Sequence, residues 1–282
     1  MSGQETTPAP YTAPSDFSQA RRRDLRGYLP WITTPLLVVL LVAAWWIYVD
    51  FSKISPFILP SPASVYHAWL GLLTSKRPWL DVAMTVYATL FGFLWAVAVG
   101  IGLGVLIARV RWLEQTLNPF IVASQVLPKV ALVPLFVVWF GFGVTSKVVI
   151  AATLAFFPII TNTVLGIKSI DGGHRDVMVS LNATRWQIFR RLELSSSLPF
   201  IISGMEVGIV LALIGAVVGE YVGGDVGLGH LLVARMNAFE TDGLFAVIIH
   251  MTILGFLFYF AISLLRQALI PWHESAGLRP NI

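Results

Sequence analysis

Three ionisable side chains lie within long apolar runs of this 282-residue chain: Lys129, Glu206 and Glu220. A charge at the centre of a hydrocarbon layer costs about 2.5–3.5 kcal/mol on insertion scales, so such groups face water, a solute or a polar partner. Lys129 is then either a cationic feature of a solute pathway, suited to anions, or a proline-kink residue that bonds a carbonyl or Glu206. Glu206 is a second pathway candidate, and Glu220 is expected to rim the outer mouth. Other chemistry is sparse. The chain has no cysteine, which excludes disulfides, thiolate metal sites and thiol nucleophiles. His67, His174, His230, His250 and His273 are scattered without the i, i+4 pairing of metal ligands. Ser195, Ser196 and Ser197 read as a helix start rather than a nucleophile, since no His–acid pair accompanies them. No G-x-x-x-x-G-K-[ST] phosphate loop occurs.

The elements that must position these residues are membrane helices. The chain is 56% hydrophobic and 12% charged, against about 45–50% and about 25% in a typical soluble domain. A soluble enzyme and a disordered chain are both excluded; the fold class is an all-α polytopic membrane protein. A helix needs about 20 apolar residues to cross a bilayer. Six stretches meet that need: Trp31–Val49, Val82–Ala108, Leu113–Phe140 (interrupted by Pro119, Pro128 and Pro134), Lys147–Ile167, Leu198–Val222 and Leu244–Leu265. Residues 1–28 are polar and proline-rich and are expected to be a flexible cytoplasmic tail, leaving 29–282 as the transmembrane domain. No apolar signal-peptide core precedes the first span, which then acts as its own insertion signal. Residues 50–81 form a connector, with a short interfacial helix expected over Ser64–Leu73. Gly100, Gly102 and Gly104, then Gly204 and Gly208, then Gly215, Gly219 and Gly223 offer notches for close helix approach; in the fifth span pore lining is the competing reading.

Charge sets the orientation. With the N-terminus inside, the inner segments carry thirteen Lys and Arg residues, including Arg109, Arg111, Lys168, Arg175, Arg185, Arg190, Arg191, Arg266 and Arg279. The outer ones carry five, Lys53, Lys76, Arg77, Lys147 and Arg235. The positive-inside rule places both termini and the polar interval 168–196 in the cytoplasm. In that interval Val177, Leu181, Ile188 and Leu192 fall near one helical face. Such a helix either lies on the membrane as a plain connector or plugs into a partner.

Particular residues favour the second option. Asp176-Val177-Met178, then Asn182, then Leu192-x-Leu194 follow the spacing of the EAA loop of binding-protein-dependent ABC importer permeases, with Asp for Glu, Asn for Gly and Ser195 for Pro. The run Leu181-Asn182-Ala183-Thr184-Arg185-Trp186-Gln187-Ile188-Phe189 resembles the L-G-A-S-x-W-Q-x-F segment of the nitrate, taurine and alkanesulfonate group. Leu127-Pro128-Lys129, Trp139-Phe140-Gly141-Phe142-Gly143, Gly215 to Glu220 and Gly227-Leu228-Gly229 resemble the same group. The likeness spans roughly residues 30–270.

That resemblance implies a type I (MetI-like) ABC importer permease of the bacterial inner membrane. The interval 168–196 would be its coupling loop, docking into the cytoplasmic ATPase through Asp176, Val177, Met178, Leu181, Asn182, Ala183, Arg185, Trp186, Phe189, Leu192 and Leu194. It implies no catalysis and no cofactor on this chain, ATP and Mg being bound by the ATPase partner. It further implies an extracytoplasmic solute-binding protein, a second permease copy in a homodimer and no nucleic acid. The expected substrate is a small organic anion such as a sulfonate, taurine or nitrate. The Gly-Ala-Val-Val-Gly-Glu run at 215–220 also fits permeases for thiamine-pyrimidine precursors or riboflavin. A six-span secondary transporter is the rival from another class, and it would need a coupling-ion site and internal repeats.

Overall fold

In lipid the backbone has no hydrogen-bond partner but itself, and the apolar runs of this chain resolve into helices. The structure, a computed structural model, describes residues 29–271; the tail expected at 1–28, His273 and Arg279 lie outside the described residues. The helices are α1 (Leu29–Ser52), α2 (Pro62–Thr74), α3 (Lys76–Arg109), α4 (Arg111–Val126), α5 (Val133–Phe140), α6 (Val144–Lys168), α7 (Gly172–Ser180), α8 (Arg185–Ile188), α9 (Leu194–Gly223), α10 (Leu228–Asn237) and α11 (Thr241–Leu269). Among the described residues there is no strand. The short connector helix is present as α2, opened by Ser61 as N-cap with Pro62 in the first turn. α10 was not expected: it follows the glycine-rich loop, where the sequence suggests only a connection to the last span.

Five helical stretches are long and apolar enough to cross a membrane: α1, α3, α6, the run from Arg185 through α9 to Gly223, and α11. The expected third span is not one helix. α4 and the segment Lys129–Phe140 meet at 89°, so Leu113–Phe140 is a broken span. Proline explains the break. Pro128 offers no N–H and disfavours a helical residue before it, and Leu127 is extended (φ −65°, ψ 126°). A single 3₁₀ turn, Lys129–Leu132, then leads into α5. Gly141, with φ +81°, ends α5 at the expected glycine turn.

The centre of the bundle is α6, packed between α3 and α9. Its contact faces are built from small residues: Ala88 and Ala96 of α3, Ala151 and Ala155 of α6, and Ala212 and Ala216 of α9 are all buried. Glycines bring the backbones closer still. A Cβ placed on Gly104 would lie 2.6 Å from Thr163 Cβ, and one on Gly215 would lie 2.8 Å from Ala151 Cα. Gly102 is the exception among the expected notches, since no neighbouring atom lies within 4 Å of its Cβ position.

One end of the bundle is closed by a buried polar clamp. Glu220, expected at the rim of the outer mouth, is only 1% exposed. Its oxygens accept the Thr85 hydroxyl (2.9 and 2.8 Å) and the Gly229 N–H (3.0 Å). Asp81 accepts the Gly227 N–H at 2.8 Å, and Thr85 Oγ1 accepts the Leu228 N–H at 2.9 Å. Lys147, counted among outer loop charges from the sequence, is buried in the first turn of α6 and donates to the Val226 carbonyl at 2.6 Å. Four backbone groups of the 226–229 loop are thus held by side chains of α3, α6 and α9. Glycine is required here: Gly227 has φ +131°, and a Cβ on it would lie 2.1 Å from Glu220 Cδ.

Two outcomes follow from this packing. Gly104→Leu should lower the thermal midpoint of the detergent-solubilised protein, an overpacking cost of about 1–3 kcal/mol, while Gly102→Leu should leave it unchanged. Glu220→Ala strands the Gly229 N–H, at about 1–3 kcal/mol for an unsatisfied buried group, and leaves the Thr85 hydroxyl to the Asp81 carbonyl alone. The same melting assay should show a larger loss for Glu220→Ala than for Glu220→Gln, whose amide oxygen still accepts one bond.

Candidate functional site

The three membrane-embedded candidates do not converge. Glu220 belongs to the clamp just described. Glu206 is buried on α9 and pairs with Arg266 from the last turns of α11; Arg266 also donates to the Ser203 hydroxyl at 3.0 Å. Glu206 is therefore the partner of an arginine and not of Lys129. Lys129 stands in the 3₁₀ turn at the broken span rather than midway along a helix, and its Nζ lies 4.7 Å from the Phe157 ring centroid. That is cation–π range. Among the described residues no carboxylate lies within ion-pair distance of Lys129.

The coupling-loop residues do gather, although not as the single helix the sequence suggests. Two short helices, α7 and α8, form a hairpin between α6 and α9. Asp171 caps α7, its carboxylate accepting the Gly173 N–H at 2.8 Å. α7 then ends in a Schellman motif: Ala183 N–H donates to the Met178 carbonyl (3.0 Å) and Asn182 N–H to that of Val179 (2.9 Å). Asn182 occupies the left-handed position with φ +52°, a conformation asparagine tolerates better than most residues. The glycine of the family loop is thus replaced by the next most suitable residue type.

α8 starts at a capping box. Thr184 Oγ1 accepts the Gln187 N–H at 3.3 Å, and Gln187 Oε1 accepts the Thr184 N–H at 2.7 Å. The helix therefore begins at Thr184 and not at Ser195–Ser197, which lie inside it. A π turn over Phe189–Glu193 joins α8 to α9. The break at Asn182 and this wide turn remove the common face expected for Val177, Leu181, Ile188 and Leu192. The hairpin instead presents Val177, Leu181 and Trp186 outward, Trp186 being 66% exposed. Asp176, Asn182 and Arg185 are also exposed, while Met178, Ala183, Phe189, Leu192 and Leu194 are half-buried.

Sequence reasoning missed the residue that anchors this hairpin. Glu193, in the π turn, is 3% exposed and receives two arginines. Arg109, the last residue of α3, donates Nε and Nη2 to Glu193 Oε2 at 2.8 and 2.6 Å. Arg175 of α7 donates Nη2 to Oε1 at 2.7 Å. The Arg109 guanidinium also lies 4.4 Å from the Phe189 ring centroid, and Phe189 contacts the Trp186 ring. One carboxylate therefore ties the hairpin to the ends of two spans, and Lys168 adds an ion pair to Glu114 of α4. The available signal was charge: Glu193 is the one acid in the basic run from Arg185 to Leu194.

Comparison with known proteins identifies the family. Residues 100–271, which hold the hairpin and the span ends that anchor it, match the family described as "Binding-protein-dependent transport system inner membrane component". The chain is 37% identical over 273 residues to the riboflavin transport system permease protein RibX of Chloroflexus aurantiacus, covering 96% of this chain and 100% of that protein. It is 36% identical over 219 residues to the formylaminopyrimidine transport permease protein ThiX of Halalkalibacterium halodurans, covering 78% and 87%. In fold it is similar to a chain of the inward-facing MetNI methionine ABC transporter, with a TM-score of 0.61 at 20% identity over 70% of this chain and 99% of that one. The overall fold is thus that of a MetI-type permease, and the chain belongs to the binding-protein-dependent inner-membrane components, as a multi-pass ABC importer permease subunit and not an enzyme.

Proposed function

We propose that the α7–α8 hairpin is the coupling element that docks on a cytoplasmic ATPase, with ATP and Mg bound by that partner. The observation that carries this reading is the pairing of an outward apolar face with an inward ionic anchor. Val177, Leu181 and Trp186 are large apolar side chains on a polar interval, a surface that calls for a protein partner. Glu193 links the same hairpin to α3 and α9, so a displacement of the hairpin is passed to two spans rather than absorbed by a loop. The thirteen-to-five charge bias supports cytoplasmic termini and a cytoplasmic hairpin. A second copy of the chain completes the pathway: α1 has none of its span buried, and the apolar cleft of about 680 Å³ between α3 and α6 is open on the bundle's flank. An extracytoplasmic binding protein delivers the solute.

For the solute we favour a planar nitrogen heterocycle of the riboflavin or formylaminopyrimidine class. Two relatives above 35% identity transport such compounds by name, and one of them aligns over its whole length. A small organic anion such as a sulfonate is the second reading, supported by Lys129, a half-buried cation at the break of the third span with no carboxylate partner among the described residues.

Trp186→Asp should place a charge in the docking face and abolish co-purification of the ATPase subunit, while the permease itself remains monodisperse; an intact complex with normal uptake would overturn the docking assignment. Calorimetry on the partner binding protein should show riboflavin or a formylaminopyrimidine binding at least about a thousandfold tighter, ~4 kcal/mol, than taurine or an alkanesulfonate. The reverse order, together with lost anion uptake in Lys129→Ala, would select the second reading.

A further inference from the structure

Between the hairpin and the span ends lies a cleft of about 720 Å³, set apart from the outward apolar face assigned to docking. Four cations line it: Arg109 from the end of α3, Lys168 from the end of α6, Arg175 from α7 and Arg185 from α8. Glu193 is the one carboxylate in its wall. Glu193 engages Arg109 and Arg175 through only part of each guanidinium, and the Arg175 side chain is still 50% exposed. Lys168 meets Glu114, which lies outside the lining. Arg185 has no ion pair among the described residues and is exposed. The cleft therefore holds more positive charge than its own acids neutralise.

Its depth and its apolar wall point to the ligand. Arg109 and Lys168 are the terminal residues of two membrane spans, so the cations stand where hydrocarbon gives way to headgroups. Ile167, Ile170, Val179 and Ile188 supply apolar surface beside them. A free inorganic anion would gain nothing from those side chains, whereas a phospholipid presents a phosphodiester joined to a glycerol and acyl chains. Basic pockets at span ends hold anionic headgroups by this combination, and arginine forks match phosphate oxygens.

We propose that this cleft binds the phosphate of an anionic membrane phospholipid, bracing the coupling hairpin against the bilayer surface. Bound lipid would add its negative charge beside Glu193, between two arginines that still have donors to share.

The test titrates phosphatidylglycerol, with phosphatidylcholine as control, into the full-length permease in mild detergent, and reads bound lipid by native mass spectrometry. Wild type should retain phosphatidylglycerol over phosphatidylcholine. A Lys168→Gln/Arg185→Gln double variant should bind it about 25-fold more weakly, each cation at a membrane surface contributing about fivefold. Lys168→Gln alone should lose about fivefold, which keeps the test decisive where the double variant does not fold. Equal retention of both lipids by wild type, or unchanged affinity in a folded variant, would overturn the proposal. Displacement of the bound lipid by millimolar inorganic phosphate would overturn the lipid assignment and leave a free-phosphate site. None of these readouts depends on the transported solute or on ATPase docking.

Discussion

The close approach of α6 to α3 and α9 is the contact on which the rest of the structure depends. In a bilayer the lipid tails are as apolar as leucine, so burial of apolar surface gives little drive for helices to associate. What remains is dispersion at short range, and it grows only where backbones can nearly touch. Alanine and glycine supply that condition along all three helices. The same contact fixes the spacing at both ends of the bundle, since α3, α6 and α9 carry the clamp at one end and the hairpin anchor at the other.

The two ends then differ in a way that suits a moving machine. At the Glu220 end, carboxylate, hydroxyl and ammonium groups are nearly all spent on backbone N–H and C=O groups of a glycine-rich loop. Such bonds have little freedom and hold the loop in one place. At the Glu193 end the bonds run between side chains, and two arginines approach a single carboxylate from different helices. Long side chains tolerate a shift of the hairpin while keeping the ion pairs, as the proposed coupling role requires. Burial of Glu193 matters here, because an exposed pair would be screened by solvent and would transmit little.

The broken third span is a third departure from a plain helical bundle. α4 and α5 meet at 89° around Lys129, and the prolines that cause the bend also leave backbone groups unpaired by a regular helix. Irregular backbone at membrane depth is tolerated where it is covered by protein or lines a cavity. The aromatic ring of Phe157 under Lys129 covers part of that turn.

Much of this was legible in the residues themselves. Apart from the third, which is broken, the spans were legible in the apolar runs to within about six residues at each end, because the thickness of a bilayer sets their length. The EAA-like spacing marked the interval 168–196, although as one helix rather than two, and the departure at Asn182 was readable as a left-handed position because such positions depend on local backbone sterics alone; the Thr184–Gln187 capping box became visible only in the structure. Local chemistry also made Pro128 an interruption, but not an 89° corner. The partners of the charges were decided only by tertiary structure. Glu206 with Arg266, Glu220 with Thr85 and Gly229, and Glu193 with Arg109 and Arg175 are pairs separated by 9 to 135 residues. A buried charge announces that it must have a partner, but which one is set by the distance between helices, and that distance depends on packing that no local pattern encodes.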